Sequence, residues 1–399
     1  MDMNSEEKYI EERKHKAEEL SDLFLSMQKY PIDNKKVVFS SFEGDGGFSC
    51  NPKYIAEALH RIMPECEMVW LTKDVSKEFP NYIQPAEYSE KNIAYHLSTA
   101  KIWIDNYRKP FGTLKREGQI YIQTWHASVG FKAVGLYRGE NFPRIARLVS
   151  EWDSNLIDYV ISNSDYCDQI YPKKLLYNGP TLRTGFPRED CLINDRDKLH
   201  IDIRSDLKLS QDVKLIMFAP TFRGGTEKEK KNVKAMMPSI DFNRLIDTLQ
   251  GKFGGQWKIL MRLHPQLAAK LDAMPIMNED ERLIDVSKYD DMCQILAGCD
   301  AVITDYSSCA FDAAFAGIPV FIYADDIDEY VKSRGQFMWK REELPFSISE
   351  DNDALIEQIN GFDCHVYMDS VKAFTEKHGI EENGDASEKI AKWLAERMI

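Results

Sequence analysis

Residues 300–323 read D-A-V-I-T-D-Y-S-S-C-A-F-D-A-A-F-A-G-I-P-V-F-I-Y and contain one complete unit of an α/β fold. The apolar run Ala301–Thr304 predicts a buried strand, and the alanine-rich segment that follows the polar turn predicts a helix. Gly317 and Pro319 end that helix before a second apolar run begins. Strands joined through a helix pair in parallel, so this stretch predicts a parallel sheet covered by helices.

The same alternation of short apolar runs and helical segments extends over most of the chain. Nine runs are predicted to be strands: 36–39, 68–71, 102–104, 120–122, 159–161, 215–218, 258–261, 301–304 and 320–322. A polar, helix-like stretch without a strand, residues 191–210, separates the two groups. We therefore predict two doubly wound, Rossmann-like α/β domains. The expected boundaries are an N-terminal helix at 1–35, a first domain at 36–190 and a second domain at 191–399, which includes a closing amphipathic helix at 387–398.

Residues 5–29 are predicted to form one amphipathic helix. Its apolar stripe consists of Ile10, Leu20, Leu23, Phe24 and Met27. Helices that lie on membranes are usually rich in Lys and Arg on their polar face, but here acidic residues outnumber basic ones. The helix is therefore expected to pack against the protein's own body or against a second subunit, which leaves a homo-oligomer open.

Composition excludes several classes of protein. The net charge of −14 argues against a nucleic-acid-binding protein, because phosphate contacts need a basic surface. The eight cysteines form no C-x-x-C pair and none lies at zinc spacing from a histidine, so we expect reduced, buried thiols and no metal site. The N-terminal residues contain no signal peptide, and no run reaches the roughly 20 apolar residues of a membrane span. These features predict a chain that works on the cytosolic side of any membrane it serves.

Polar or cationic side chains follow three strands of the second half, where parallel strands end at a common edge. They are Thr221 and Arg223 in 219–223, Arg262 and His264 in 262–265, and the turn Asp305-Tyr306-Ser307-Ser308 before a helix. The start of a helix favours phosphate, because its N–H groups are free and its dipole is positive there. Each residue taken alone is explained equally well by a helix cap, a surface ion pair or a structural histidine. Together they predict a site for a diphosphate.

His126 is the only histidine at a strand end in the first half, in Y-I-Q-T-W-H-A-S-V-G-F-K, residues 121–132. The residue types leave two interpretations open here, a catalytic base or an ordinary histidine at a turn. The glycine-rich loop at 43–47 lacks both the G-x-G-x-x-G and the G-K-[ST] patterns. A second nucleotide site is therefore not expected in this half.

An ordered set of motifs over residues 36–349 resembles the CDP-glycerol glycerophosphotransferase family of teichoic acid synthesis. The motifs are Q-T-W-H at 123–126, T-G-F-P-R-E-D at 184–190, A-P-T-F-R at 219–223, R-L-H-P at 262–265, D-V-S-x-Y at 285–289 and I-T-D-Y-S-S-x-x-F-D at 303–312. The resemblance implies a two-domain glycosyltransferase-B (GT-B) architecture that needs neither a metal nor a cofactor. It also implies transfer of glycerol phosphate from CDP-glycerol to a hydroxyl of a lipid-linked or polymeric acceptor at the inner membrane face, with release of CMP.

The resemblance also implies residue roles. His126 falls on the family's catalytic base, and His264 on the histidine that faces the donor diphosphate. The other donor-site positions are Thr221, Arg223, Arg262, Thr304, Asp305, Ser307, Ser308 and Asp312. Trp125, Ser128 and Lys132 are expected on the acceptor side, where this chain departs from the commoner W-H-G-T-P pattern. A chain of 399 residues favours a primase or a short transfer over a long-chain polymerase.

Three rival interpretations remain open at this point. CDP-ribitol could replace CDP-glycerol, since nothing in the sequence distinguishes the two polyols. A GT-B enzyme that uses a sugar nucleotide is kept open by the acidic residues at 325–326 and 328–329, which could contact a donor ribose. A scaffold protein without activity is disfavoured by the intact His126 and His264.

Overall fold

Two parallel sheets form the centre of the part of the chain that the structure describes, residues 3–221, 239–263 and 280–398 of a computed structural model. Every pair of neighbouring strands within these sheets is parallel. Each sheet belongs to its own unit of the chain. The predicted α/β fold with two parallel-sheet domains is therefore confirmed.

The sheet of the first unit has seven strands: β1 (Asp33–Ser40), β2 (Glu67–Thr72), β3 (Ile83–Glu87), β4 (Ala100–Asp105), β5 (Ile120–Gln123), β6 (Tyr159–Ser162) and β7 (Thr181–Arg183). They pair in the order β3-β2-β1-β4-β5-β6-β7, so the direction of strand addition reverses between β1 and β4. Val37, Val38 and Phe39 of β1 are fully buried, because helices cover both faces of a parallel sheet. Ligands of open parallel sheets bind beyond the carboxyl ends of the strands at such a reversal.

The helices of the first unit begin with α1 (Met3–Met27), α2 (Cys50–Ile62), α3 (Glu90–Thr99), α4 (Arg144–Leu156) and α5 (Asp165–Lys174). Helix α1 turns its apolar stripe towards this unit, and Ile10, Leu20 and Phe24 are at most 3 % exposed. The backbone of α1 also lies very close to Gly112, where an added Cβ would come within 2.1 Å of the carbonyl oxygen of Ala17. Only glycine allows this approach, so α1 is seated closely on the body of the first unit.

The sheet of the second unit has six strands: β8 (Lys214–Ala219), β9 (Trp257–Met261), β10 (Leu283–Asp285), β11 (Ala301–Thr304), β12 (Val320–Tyr323) and β13 (Ile348–Ser349). Their order is β10-β9-β8-β11-β12-β13. Its described helices are α6 (Asp190–Asn194), whose first residue belongs to the first unit, α7 (Arg196–Asp206), α8 (Phe242–Phe253), α9 (Met292–Ala297), α10 (Cys309–Phe315), α11 (Ile327–Arg334), α12 (Asn352–Asn360) and α13 (Cys364–His378).

The stretch at 300–323 folds as its pattern predicts. Strand β11, helix α10 and strand β12 follow one another, and β11 pairs with β12 in parallel. Gly317 has φ = 71° and its N–H donates to the carbonyl of Ala314, which closes the helix in a left-handed turn. Ile303 and Phe321 are fully buried in the core of this unit.

The four strands that the apolar runs did not predict are β3, β7, β10 and β13, and each lies at an edge of its sheet. An edge strand has a neighbour on one side only, so fewer of its side chains are buried. In β3, for example, only Ile83 is buried. Edge strands therefore lack the continuous apolar run that marks the central strands.

Two of the predicted domain boundaries are wrong. The closing helix, α14 (Ala386–Met398), belongs to the first unit, because Ile390 and Leu394 are buried in its packing against α2. Residues Val129–Lys132 belong to the second unit. Phe131 packs there against the ring of Phe311, with ring centroids 5.1 Å apart. This buried aromatic contact, and not the position of the segment along the chain, determines the unit to which the segment belongs.

Two further features concern the cysteines and the hydropathy of the helices. All eight cysteines are free thiols, and seven of them are buried. None of the helices in the described ranges combines the length and the hydropathy needed to cross a bilayer.

We expect Asp190 to determine the stability of α14. Its carboxylate accepts hydrogen bonds from the backbone N–H groups of Ala386 and Ser387, at 3.1 and 2.8 Å, and from the hydroxyl of Ser387 at 2.5 Å. Asp190→Ala leaves these buried donors without an acceptor, which should destabilise the helix by about 1–3 kcal/mol. Faster amide hydrogen exchange over residues 386–398 would show it.

Asp363→Ala is the matched control, because Asp363 caps α13 through the N–H groups of His365 and Val366. It should leave exchange over residues 386–398 unchanged. Equal exchange of α14 in the Asp190→Ala variant and in the unmodified protein would contradict the assignment.

Candidate functional site

His126 lies three residues beyond β5, and a carbonyl just after the neighbouring strand β4 holds its ring. Nδ1 of His126 is 2.9 Å from the backbone oxygen of Asn106. A carbonyl oxygen can only accept a hydrogen bond, so Nδ1 carries the proton and Nε2 carries a lone pair. Nε2 makes no hydrogen bond within the described residues. The geometry presents a neutral imidazole that can accept a proton.

Trp125, the residue before His126, has a left-handed backbone with φ = 51°. For a bulky residue this conformation costs of the order of 1–3 kcal/mol, so its surroundings must hold it. The N–H of Trp125 donates to Oε1 of Gln123 at 2.8 Å. Its carbonyl accepts from Nδ2 of Asn51 at 3.0 Å. The turn after β5 is therefore held at both ends of the strained residue.

Aromatic rings form the walls around His126. The ring of Trp125 stacks on it with centroids 4.5 Å apart, and the rings of Phe42 and Tyr107 lie at 5.4 and 6.0 Å. Trp125, predicted on the acceptor side, is itself buried, and the guanidinium of Arg108 lies 5.0 Å from its ring centroid. Its contacts make it a support for the histidine.

Burial and charge favour the neutral form of His126. Burial lowers its pKa to about 3, because the charged ring would lose hydration. The bond to the backbone of Asn106 acts in the opposite direction, and three cations lower the pKa further: Arg188, Lys174 and Arg108. His126 is therefore unprotonated near pH 7.

A buried lysine holds the chain immediately beyond His126. Nζ of Lys174 donates to the carbonyls of Ala127 and Ser128, each at 3.2 Å. Burial lowers the pKa of Lys174 to about 8. Ser128, predicted on the acceptor side, is buried, and its hydroxyl has no partner among the described residues. Lys132 belongs to the second unit, where it forms an antiparallel bridge with Phe337.

A buried polar cluster supports the ends of β4 and β5. Asp105 and Lys109 form an ion pair of 2.8 Å, with both side chains at most 2 % exposed. Asp153 accepts from the backbone N–H of Lys109 and from the hydroxyl of Tyr121. Burial raises the pKa of Asp153 to about 7. Nε2 of Gln123 donates to the hydroxyl of Tyr121 at 2.8 Å. This bond connects the cluster to the turn that carries His126.

In the second unit, Thr221 and Asp305 are in contact just beyond the ends of the adjacent strands β8 and β11. Both carboxylate oxygens of Asp305 lie 2.9 Å from the backbone N of Thr221, and the N–H of Tyr306 donates to the same carboxylate. The hydroxyl of Thr304 donates to the carbonyl of Ala219 at 2.6 Å. Asp305 and Thr304 therefore tie two strand ends together. Within the described ranges, no group of three or more His, Cys, Asp or Glu is placed to hold a metal ion.

The predicted serines stand at the start of α10. Ser308 occupies the N-cap position without a hydrogen bond from its side chain to the helix, and Oγ of Ser307 accepts from the N–H of Cys309 at 3.5 Å. Asp312 is buried within the helix. The backbone of Ser308 is already helical, with φ = −64° and ψ = −17°.

Arg262 follows the last residue of β9 directly. Its Nη1 donates to the carbonyls of Val286 and Ser287, at 3.1 and 2.6 Å. The guanidinium is half-buried, and burial lowers its pKa. Two further predicted donor residues, Arg223 and His264, lie outside the described residues.

Sequence reasoning missed Asn51, Asn106, Gln123 and Lys174. Asn106 directly follows the apolar run of β4, so the criterion that selected His126 would also have found it. Gln123 is part of the Q-T-W-H motif, but its role as an acceptor for Trp125 depends on an unusual backbone angle. Asn51 and Lys174 carry no sequence signal, because they reach this turn from α2 and α5.

Comparison with known proteins relates the chain to enzymes of one kind. Residues 23–396 match the family model described as CDP-Glycerol:Poly(glycerophosphate) glycerophosphotransferase. The chain is 32 % identical to the teichoic acid poly(glycerol phosphate) polymerase of Staphylococcus epidermidis, over 95 % of this chain and 52 % of that protein. It therefore spans about half the length of that relative.

Two further similarities cover nearly the whole of both proteins. The teichoic acid glycerol-phosphate transferase of Staphylococcus aureus is 29 % identical, over 93 % of this chain and 95 % of that protein. A solved structure of the wall teichoic acid polymerase TagF with CDPG superposes with a TM-score of 0.80 and 28 % identity, covering 96 % of this chain and 94 % of the other.

The surroundings of His126 predict that it titrates far below an ordinary histidine. In the folded protein the ring should stay neutral at pH 5, whereas in denaturant it should titrate near the usual value of about 6.5. Because the unfolded state binds the proton more tightly, this residue should reduce stability as the pH falls from 6.5 towards 3. NMR titration of ¹⁵N-histidine protein, with His126→Ala for assignment, measures it. A folded-state midpoint near 6.5 would contradict the proposed environment.

Proposed function

The chain belongs to the CDP-glycerol:poly(glycerophosphate) glycerophosphotransferase family, and we propose that it transfers glycerol phosphate from CDP-glycerol to a hydroxyl of a lipid-linked or polymeric acceptor. The observation that carries this proposal is the neutral His126 in the family's Trp-His motif, with Nδ1 bound to a carbonyl and Nε2 available to a proton. The similarity to TagF, whose solved structure was obtained with CDPG, supports the choice of donor.

In the proposed reaction His126 acts as the general base. Nε2 takes the proton of the acceptor hydroxyl, and the acceptor oxygen forms a bond to the phosphorus that carries glycerol. The bond from that phosphorus to the bridging oxygen breaks, and CMP leaves with the bridging oxygen. Phosphoryl transfer needs positioning and charge stabilisation more than covalent help, so the orientation of His126 is decisive.

The second unit is proposed to bind the donor. Arg223, Arg262 and His264 would offset the diphosphate charge, and the N–H groups at the start of α10 would add to it near Ser307 and Ser308. In the described residues Thr304 and Asp305 hold strand ends, so they would act by keeping the donor site in shape. Thr221 and Asp312 complete the proposed donor set.

The arrangement of the chain as a GT-B enzyme is part of the proposal. Each unit has the parallel sheet, with a reversal of strand order, that a Rossmann-like domain requires. We place the reaction at the inner face of the cell membrane, where the proposed lipid-linked acceptor would be reached. Helix α1 is not assigned to membrane contact, because Ile10, Leu20 and Phe24 of its apolar stripe are buried in the first unit.

The contacts of Asp325 and Asp326, two of the four acidic residues on which the sugar-nucleotide alternative depends, weaken that alternative. The carboxylate of Asp326 accepts from the hydroxyl of Tyr306 at 2.8 Å. The carboxylate of Asp325 accepts from the N–H and the hydroxyl of Ser239, at 2.7 and 2.6 Å. Both side chains therefore have partners within the second unit and are less suited to bind a donor ribose.

A donor panel tests the proposed chemistry. CDP-glycerol should raise the melting temperature and should release CMP when a lipid-linked acceptor is added. CDP-ribitol is the alternative polyol donor, and UDP-sugars test the sugar-nucleotide alternative. Turnover with a UDP-sugar and none with either CDP-polyol would contradict the proposed function.

His126→Ala should lower the turnover number by roughly 10²–10⁴, which is the usual contribution of a general base. The affinity for CDP-glycerol should stay the same, because the base acts on the acceptor. Initial rates of CMP release and calorimetric donor titration separate the two effects. His60→Ala, which changes a histidine of α2 stacked on Tyr82, is the control and should retain normal turnover.

His264→Ala should behave differently from His126→Ala. A residue that offsets donor charge acts before and during the reaction, so its loss should weaken donor affinity and turnover together. Normal CMP release by the His126 variant would remove it as the base, and unchanged donor affinity in the His264 variant would remove His264 from the donor site.

A further inference from the structure

Asn51 is a fully buried asparagine at the second position of α2, far in sequence from the turn after β5. Its Nδ2 donates to the carbonyl of Trp125 at 3.0 Å and lies 3.4 Å from the carbonyl of Thr124. Its Oδ1 accepts from the backbone N–H of Arg188 at 3.0 Å. One side chain therefore joins the start of α2 to two separate turns of the first unit.

The conformation that Asn51 holds is one that the chain would otherwise avoid. Trp125 has positive φ, and a bulky side chain relaxes from the left-handed region unless neighbouring groups oppose it. Gln123 accepts from the N–H of Trp125, and the carbonyl of Trp125 accepts from Nδ2 of Asn51 and from the hydroxyl of Thr124, each at 3.0 Å. The hydroxyl of Thr124 also lies 3.1 Å from the carbonyl of Asp105, and it has one proton for the two acceptors. Loss of the bond from Asn51 would leave that carbonyl, among the described residues, with the shared hydroxyl of Thr124 alone, and would let the peptide between Trp125 and His126 rotate.

Rotation of that peptide would move the histidine ring. Nδ1 of His126 reaches the carbonyl of Asn106 at 2.9 Å only while the backbone at Trp125 keeps its present direction. The stacking of the two rings at 4.5 Å depends on the same angle. If the bond to Asn106 is lost, nothing else in the described residues determines which ring nitrogen carries the proton.

We propose that Asn51 is a positioning residue for the reaction: by donating to the carbonyl of Trp125, it holds the backbone that directs the ring of His126 and selects its Nδ1–H tautomer. This inference rests on the proposed function for its effect on catalysis. Its effect on His126 itself does not depend on which reaction the protein performs.

Asn51→Asp tests the donated hydrogen bond, because a carboxylate can still accept from the N–H of Arg188 but cannot donate to Trp125. Asn92→Asp is the matched control. Asn92 also lies in the first turn of a helix, α3, and its Nδ2 donates to the carbonyl of Glu87 at 3.0 Å. Both variants make the same chemical change in the full chain.

The first readout is the tautomer of His126 in long-range ¹H–¹⁵N spectra of ¹⁵N-histidine protein. The unmodified protein and Asn92→Asp should show a protonated Nδ1 and an unprotonated Nε2. Asn51→Asp should show the two nitrogens moving towards a common, averaged position. A spectrum of Asn51→Asp that keeps the single tautomer would overturn the inference, whatever the activity.

The second readout is CMP release from CDP-glycerol. Asn51→Asp should lower turnover by roughly 10²-fold, the effect of a small misplacement of a catalytic group, with donor affinity unchanged. In the His126→Ala background the same substitution should cause no further loss, because Asn51 acts through His126. An equal loss in both backgrounds would show a merely structural role and would overturn the inference.

The two readouts separate this inference from the proposed function. A lost tautomer with normal turnover would uphold the positioning of His126 by Asn51 and remove His126 as the base. If Asn51→Asp does not fold because of its buried carboxylate, the neutral Asn51→Ala removes the same donated bond. It should give the same spectrum and the same loss of turnover, and an unchanged spectrum would again overturn the inference.

Discussion

Parallel pairing makes all strands of a sheet end at one edge, and this constraint brings the polar side chains of each unit together. In the first unit β4 and β5 are neighbours, so the carbonyl of Asn106 reaches the ring of His126, 20 residues along the chain. In the second unit β8 and β11 are neighbours, and the carboxylate of Asp305 reaches the N–H of Thr221, 84 residues away. Both contacts follow from the order of strands in the sheet.

The setting of His126 combines two effects that act on different properties of the ring. Burial and nearby cations keep the imidazole neutral, so that a lone pair is present at neutral pH. The same effects lower the proton affinity of that lone pair, which weakens any base. A base of this kind must therefore contribute through orientation, and the strained backbone at Trp125, held by Asn51 and Gln123, provides the orientation.

Several motif residues of the second unit make hydrogen bonds that stabilise the fold and involve no ligand. Thr304 ties β11 to β8, Asp305 satisfies backbone N–H groups at the strand ends, and Arg262 holds the carbonyls that follow β10. The hydroxyl, carboxylate and guanidinium groups of these motifs can thus stabilise the backbone around a donor site as well as bind the donor. The side chain of Ser308, by contrast, makes no capping hydrogen bond to the helix.

Local pattern was enough to predict the parallel sheets, since central strands are buried on both faces and must be apolar along their length. It also predicted that His126, Thr221 and Asp305 come just after strand ends, because polar residues that follow buried parallel strands fall at their common edge. The edge strands, the place of α14 and the transfer of Val129–Lys132 to the second unit were beyond it. These features, like the role of Asn51, depend on which distant surfaces pack together. Packing brings together side chains that are far apart in sequence. The pattern of residue types along the chain does not specify which distant segments come into contact.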